Sequence, residues 1–461
     1  MLNPQRSWLR LIKDNAFFRQ LLFIFLILSI EFSITSIDFI FLEKISYKAA
    51  IGVAALIPFI YIIQGIFTQF CQSMVNNCVY LYAKNDSTVN VNYNNTLFAG
   101  FIISILLSLI LVTLLFIFKD NLFFIFKKSL DDEAKKYALK YIIYMIPFFI
   151  LLNMEQYFSY ILYSLNLARF KFLFIIAIFI LNILFNYLAV EVFQAGVSGI
   201  AISSSLSVLA IFPLYLYALY RFKILYKLKI SLHYYKKAYV GIKNLGFAGV
   251  LDPILHYIVQ FFISAIIVKI GVEMISAKQH AQNYLIFSLT ASLSIAIMMQ
   301  LRISKLFGQS KPQDFKNIRA FYNKNLKAAL SLSILFTLAA FIFVYFTLHL
   351  YENWYSSNQT VRQYLIICMI LAILVEPLRT LSIVSKAYLK GLQNANWPLI
   401  VSILNKMFIT LPLCYAVIFF TSLGLAGIFL VEGFSYLVNF ILYLVLAKTI
   451  YKKRKKNIDN F

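Results

Sequence analysis

Charge is scarce in this chain, and acid is scarcer than base. Of 461 residues only 13% are charged, with 18 Asp and Glu against 42 Lys and Arg. An ordinary soluble chain carries about 25% charged residues. With 62% hydrophobic residues, this one lacks the polar surface that a water-facing globule needs, so lipid must serve as much of its solvent. Cysteine is sparse too. Cys71, Cys78, Cys368 and Cys414 contain no CxxC spacing, which argues against a metal site or a disulfide framework. Gly-x-x-x-x-Gly-Lys-Ser/Thr, HExxH and GxSxG are all missing. Their absence excludes a phosphate-loop nucleotide site, a zinc-peptidase helix and a nucleophile elbow. No resident metal or cofactor is expected, and no polar stretch is long enough to fold as a separate soluble domain.

What the chain has instead is a series of long apolar runs. A helix needs about 20 apolar residues to cross a bilayer. Twelve runs meet that length: 17–40, 49–74, 96–118, 138–162, 171–190, 198–220, 245–269, 279–301, 327–350, 361–384, 397–420 and 425–447. The first continues past any cleavable signal and lacks a small-residue exit, so it reads as a span. Most of the Lys and Arg fall in alternate loops, in the segment before the first span and in the tail Tyr451-Lys-Lys-Arg-Lys-Lys456. That bias places both termini and the basic stretch Arg221–Lys243 on the cytoplasmic side. The net charge of +24 then reflects topology and anionic lipid headgroups, and no nucleic-acid partner is expected.

The two halves of the chain repeat each other. Ser164-Leu-Asn-Leu-Ala-Arg-Phe-Lys171 leads into a span that ends near Gly196-Val-Ser-Gly-Ile200. Gly391-Leu-Gln-Asn-Ala-Asn-Trp-Pro398 leads into one that ends near Gly424-Leu-Ala-Gly-Ile428. The offset is 227 at Ala168/Ala395 and 228 at Gly196/Gly424, and Lys44-Ile-Ser46 pairs with Lys269-Ile-Gly271 at 225. Six spans return the chain to the side it started from, so the halves are parallel repeats related by an axis along the membrane normal, a plan that recurs in secondary transporters. The expected fold is an all-α polytopic membrane protein with twelve transmembrane helices in two six-helix lobes. Residues 1–220 form the N-terminal lobe, 221–244 a basic cytoplasmic linker, 245–447 the C-terminal lobe and 448–461 a basic tail.

Several local motifs give the repeat a resemblance. Ile37-Asp38-Phe-Ile-Phe-Leu-Glu-Lys-Ile-Ser46 followed by Ala49-Ala50, Leu245-Gly246-Phe-Ala248, Ile275-Ser-Ala-Lys-Gln-His-Ala281 and Leu389-Lys-Gly-Leu-Gln-Asn-Ala-Asn-Trp-Pro398 stand in the order and spacing of the MATE (multidrug and toxic compound extrusion) family. This family lies within the flippase superfamily that also holds polysaccharide exporters. The chain resembles it over nearly its whole length. It departs at Ser46, where the family usually has Gly, and at Lys390, where the family has Arg followed by an Asp-Thr pair this chain lacks. The resemblance implies alternating access in a monomer: the cavity opens outward, a cation binds carboxylates and substrate leaves. The implied protein is not an enzyme. It is an exporter of amphipathic, often cationic organic compounds in the bacterial cytoplasmic (inner) membrane, coupled to H+ or Na+, and His256 favours H+. Two other readings stay open: a flippase or exporter for a dedicated substrate such as a lipid-linked saccharide or a siderophore, and a membrane enzyme such as a glycan polymerase.

Charged groups inside spans are costly and so mark candidate sites. Asp38 matches the acidic residue of the family's first span, which is implicated there in cation coupling. A carboxylate in a partly dry cavity holds a proton more readily than one in water. Glu31 lies two turns earlier on the same face, as either a second protonatable step or an interhelical partner. His256 stands where family members with a C-terminal site carry Glu, and Asp252 lies one turn before it. Such a pair suits proton handling, although a His bonded within helix packing fits equally. Glu376 and Arg379 are spaced as an i,i+3 ion pair, and Lys406 and Glu432 are candidates for the same network. Glu155 with Gln156, and Asn182 with Asn186, read as polar contacts between helices.

Overall fold

The computed structural model describes residues 15–84, 89–119, 132–222, 224, 231–241, 247–268, 272–309, 315–350 and 359–459. The basic segment before residue 15, much of the 221–244 linker, the Leu245-Gly246 pair and the Lys269–Gly271 anchor lie outside them. The described residues contain helices and no strand, because a helix satisfies every backbone polar group within its own segment and can therefore cross hydrocarbon.

The first half contains α1 (Asn15–Ile45), α2 (Tyr47–Lys84), α3 (Val89–Phe118), α4 (Asp132–Tyr144), α5 (Ile146–Ser164), α6 (Ala168–Tyr187), α7 (Gly196–Arg221) and α8 (Leu232–Gly241). The second half contains α9 (Phe247–Val268), α10 (Val272–Tyr284), α11 (Ile286–Gln309), α12 (Phe315–Leu350), α13 (Gln359–Gly391), α14 (Asn396–Asn405), α15 (Leu411–Phe420) and α16 (Gly424–Asp459). Nine helices among the described residues are long and apolar enough to span a membrane, or ten if α4 and α5, bent by 47°, form one span. The expected spans at 49–74 and 245–269 fall on α2 and α9, of 38 and 22 residues. The bend between α4 and α5 sits beside Pro147, at the start of α5, where a proline is tolerated. Within the linker, α8 packs on α2 and α3, so this part of it is a docked helix.

The chain divides into two compact units, 16–253 and 254–461. The first has a core from α1, α2, α3, α4, α5 and α7 that includes Leu42, Val53, Leu56, Phe67, Ile142, Phe149 and Ile200. The second has a core from α9, α10, α12, α13, α15 and α16 that includes Ile263, Ile267, Leu365, Cys368, Ala372, Cys414 and Ile428. All four cysteines are buried and unpaired. The outward faces are apolar, with Ile110, Leu173, Ile180, Leu335 and Phe346 all more than half exposed, as lipid requires.

The repeat extends to single backbone angles. Asn166 and Gln393 both have φ of 60°, and Gly196 and Gly424 have φ of 62° and 51°. Helix α5 ends with Leu167 N donating to Leu162 O and Asn166 N to Tyr163 O; α13 ends with Asn394 N donating to Leu389 O and Gln393 N to Lys390 O. Each end is the same Schellman turn, which needs a left-handed residue. The residue pairs stand 227 or 228 apart, the same offsets the sequence gives.

Candidate functional site

Helix α6 carries its polarity inward. Leu173, Ile180 and Leu184 are exposed, whereas Lys171, Ile175, Ile178, Asn182 and Asn186 are buried. The buried set recurs at helical spacing, so one stripe meets lipid and the other presents two polar stations to its neighbours. Helix α1 offers matching stations at Glu31 and Asp38, about 10 Å apart along its axis at 1.5 Å per residue. Helix α7 adds Ser204 and Tyr215.

The first station is built on Asp38, which is 6% exposed. Asn186 Nδ2 donates to Asp38 Oδ1 at 2.7 Å, and Ser204 Oγ donates to Oδ2 at 3.0 Å. Asn186 Nδ2 also approaches Asn182 Oδ1 at 3.2 Å, and Asn182 Nδ2 donates to Ser204 Oγ at 3.3 Å. Asn186 Oδ1 is buried with no hydrogen-bond partner among the described residues. No cationic side chain pairs with Asp38 among those residues. A cavity reaches the carboxylate, lined by Thr35, Val53, Tyr61, Gln64, Tyr141 and Ser204 among others. A π-helical turn, Leu188–Val192, begins two residues after Asn186. Such turns are frequent at functional sites.

The second station is a closed ion cluster. Lys171, fully buried, pairs with Glu31 at 3.0 Å and with Glu155. Tyr215 donates to Glu155 Oε1 at 2.6 Å and Ser159 does so at 3.2 Å. Glu31 is 25% exposed and Glu155 3%. The structure therefore gathers Asp38 with Asn182, Asn186 and Ser204, and Glu31 with Lys171 and Glu155. The two acids of α1 belong to separate clusters.

In the second unit, Arg379 donates to Glu376 at 3.0 Å, the i,i+3 pair expected from their spacing. Glu432 pairs with Lys278 at 3.2 Å and accepts from Gln260 at 3.2 Å. Lys406 opens the second π-helical turn, Lys406–Thr410. On α9, Asp252 is buried and His256 half-buried, with its ring edge-on to Tyr257 at 5.4 Å. The division between the two units falls between Asp252 and His256. Asn182 and Asn186 make the polar contacts between helices expected of them, to Ser204 and Asp38, whereas Ser204 and Lys171 are not among the candidate residues of the sequence. The signal for the α6 residues was present: three polar side chains on one stripe of an otherwise apolar span.

The comparisons with known proteins bear on this arrangement. The MatE family model matches the chain over two segments, residues 24–188 and 250–416, one in each half. The chain belongs to the MatE family. Solved structures share the fold: a MOP superfamily transporter from Pyrococcus furiosus aligns with TM-score 0.84 at 16% identity over 96% of each chain. A mutant of the Vibrio cholerae MATE transporter VcmN aligns with TM-score 0.83 at 14% identity over 98% of each chain. Among curated proteins, the uncharacterized transporter YisQ of Bacillus subtilis is 23% identical over 239 residues, which is 51% of this chain. That match spans about half the length of the curated relative. This MATE chain is thus a multi-pass membrane protein of a transporter family.

Proposed function

We propose that the protein is a secondary active exporter that exchanges amphipathic organic cations for H+ by alternating access, with Asp38 as the coupling site. It acts in a bacterial cytoplasmic membrane with both basic termini inside. One observation carries this reading. Buried Glu155, Glu376 and Glu432 each have a Lys or Arg beside them, whereas among the described residues Asp38 is met by neutral groups such as the amide of Asn186 and the hydroxyl of Ser204. A lone negative charge in a dry site is expensive, so the missing positive charge comes from solution. A ligand that binds one conformation better than another shifts the equilibrium between them by that difference, and an arriving cation at Asp38 supplies it.

H+ fits better than Na+. Both carboxylate oxygens already accept hydrogen bonds, and Asn182 Oδ1 is engaged by Asn186. Within this cluster Asn186 Oδ1 is the side-chain oxygen left without a partner among the described residues, and a proton needs one acceptor oxygen where Na+ needs several. His256 adds a second group suited to protons.

The test is transport in proteoliposomes. Ethidium movement is expected under an imposed pH gradient and not under a Na+ gradient, and Asp38→Asn is expected to abolish it. Transport driven by Na+ alone would reverse the choice of ion. No ethidium transport by folded protein under either gradient would point to a dedicated substrate.

A further inference from the structure

The cavity at Asp38 has counterparts in the second half that can be found by the repeat offset. Thr35, Val53 and Ser204 line that cavity. At the offset of 225 Thr35 corresponds to Gln260 and Val53 to Lys278, and at 228 Ser204 corresponds to Glu432. These three counterparts, from α9, α10 and α16, touch one another. Lys278 Nζ lies 3.2 Å from Glu432 Oε1 and 3.3 Å from Gln260 Oε1, and Gln260 Nε2 donates to the same Glu432 oxygen at 3.2 Å. The Lys278 and Glu432 side chains are only 7% and 10% exposed. The position that corresponds to Asp38 is Ile263, fully buried and apolar. In this half, then, the carboxylate has moved from the α1-type helix to the α7-type helix, and a lysine reaches it from the residue that matches Val53.

We propose that the C-terminal half carries its cation built in: the Lys278 ammonium holds, against Glu432 and Gln260, the place that an exchangeable cation takes against Asp38 in the N-terminal half. The pocket is a site for a primary ammonium group, filled by the chain itself. Of these two equivalent pockets, only the one at Asp38 then exchanges its cation, one positive charge per cycle. This last consequence rests on the proposed role of Asp38; the occupancy of the Glu432 pocket does not.

Truncating Lys278 to Ala removes the equivalent of propylammonium and leaves Glu432 without its cation. The test is thermal melting of the purified full-length protein in detergent, with propylammonium chloride or, at equal ionic strength, tetramethylammonium chloride. Lys278→Ala is expected to melt several degrees below wild type. Propylammonium should raise its melting temperature saturably and tetramethylammonium, which is too bulky and has no N–H, should not. Lys278→Met/Glu432→Gln should melt above Lys278→Ala and ignore both salts, and Lys278→Arg should need no added amine. If Lys278→Ala cannot be recovered folded without amine, recovery during purification in propylammonium becomes the readout. Absence of any ammonium-specific response, or a response that persists without Glu432, overturns the proposal. Because this melting test does not involve Asp38, its failure and the failure of the transport test are separate results.

Discussion

Lys171 shows how a buried charge is retained in a membrane helix. Its ammonium faces Glu31 and Glu155, and Glu155 is fixed in turn by Tyr215 and Ser159. Breaking such a cluster from one side leaves carboxylates unpaired, which costs about 3–5 kcal/mol. Lys171→Met should therefore lower the melting temperature sharply, whereas Lys171→Met/Glu155→Gln should recover much of the loss. If the single variant melts like wild type, the cluster contributes nothing to stability. Asp38 and Glu31 could be found from sequence because an acid in an apolar run is conspicuous. Their separate partners could not, because Lys171 and Asn186 come from α6, more than 130 positions away, and only packing decides which acid each one meets.

Helix ends and helix contacts repeat the same logic with backbone in place of charge. The Gly196 and Gly424 positions open α7 and α16 with positive φ, and nothing lies within 4 Å of an added Cβ at either. The requirement there is conformational alone, and a left-handed non-glycine residue costs about 1–2 kcal/mol. Gly196→Ala should destabilise by about that amount without disturbing packing, measurable as a melting shift with an unchanged transport rate. Gly52 is the opposite case. A Cβ there would stand 2.2 Å from the Ala134 carbonyl oxygen, so α2 and α4 touch backbone to side-chain-free backbone. Gly52→Ala should cost at least about 1–3 kcal/mol, as overpacking does, and should force those two helices apart; an unchanged melting temperature would mean that they separate freely. Eight of the twelve expected spans fall on single helices, and two more, 171–190 and 397–420, run through a π-helical turn. The sequence pattern missed the break at Met145, two residues before Pro147, and that at Leu285, which follows the polar stretch Lys278–Asn283; run length alone does not register either.

The whole molecule is a duplicated plan with unequal chemistry. The repeat was legible because left-handed turn residues and helix-opening glycines are tied to geometry, and geometry is shared by the halves. The polar centres diverged because lipid-facing packing leaves buried positions free to exchange a carboxylate, an amide or an ammonium, provided the charge is met. In the N-terminal half the charge of Asp38 is met by neutral groups, and that single difference from Glu155, Glu376 and Glu432 underlies the coupling assigned to it. Difference infrared spectroscopy on acidification tests this without knowledge of the substrate. Wild type should gain a protonated-carboxyl C=O band that is missing from the Asp38→Asn spectrum. Identical spectra for the two proteins would contradict proton binding at Asp38.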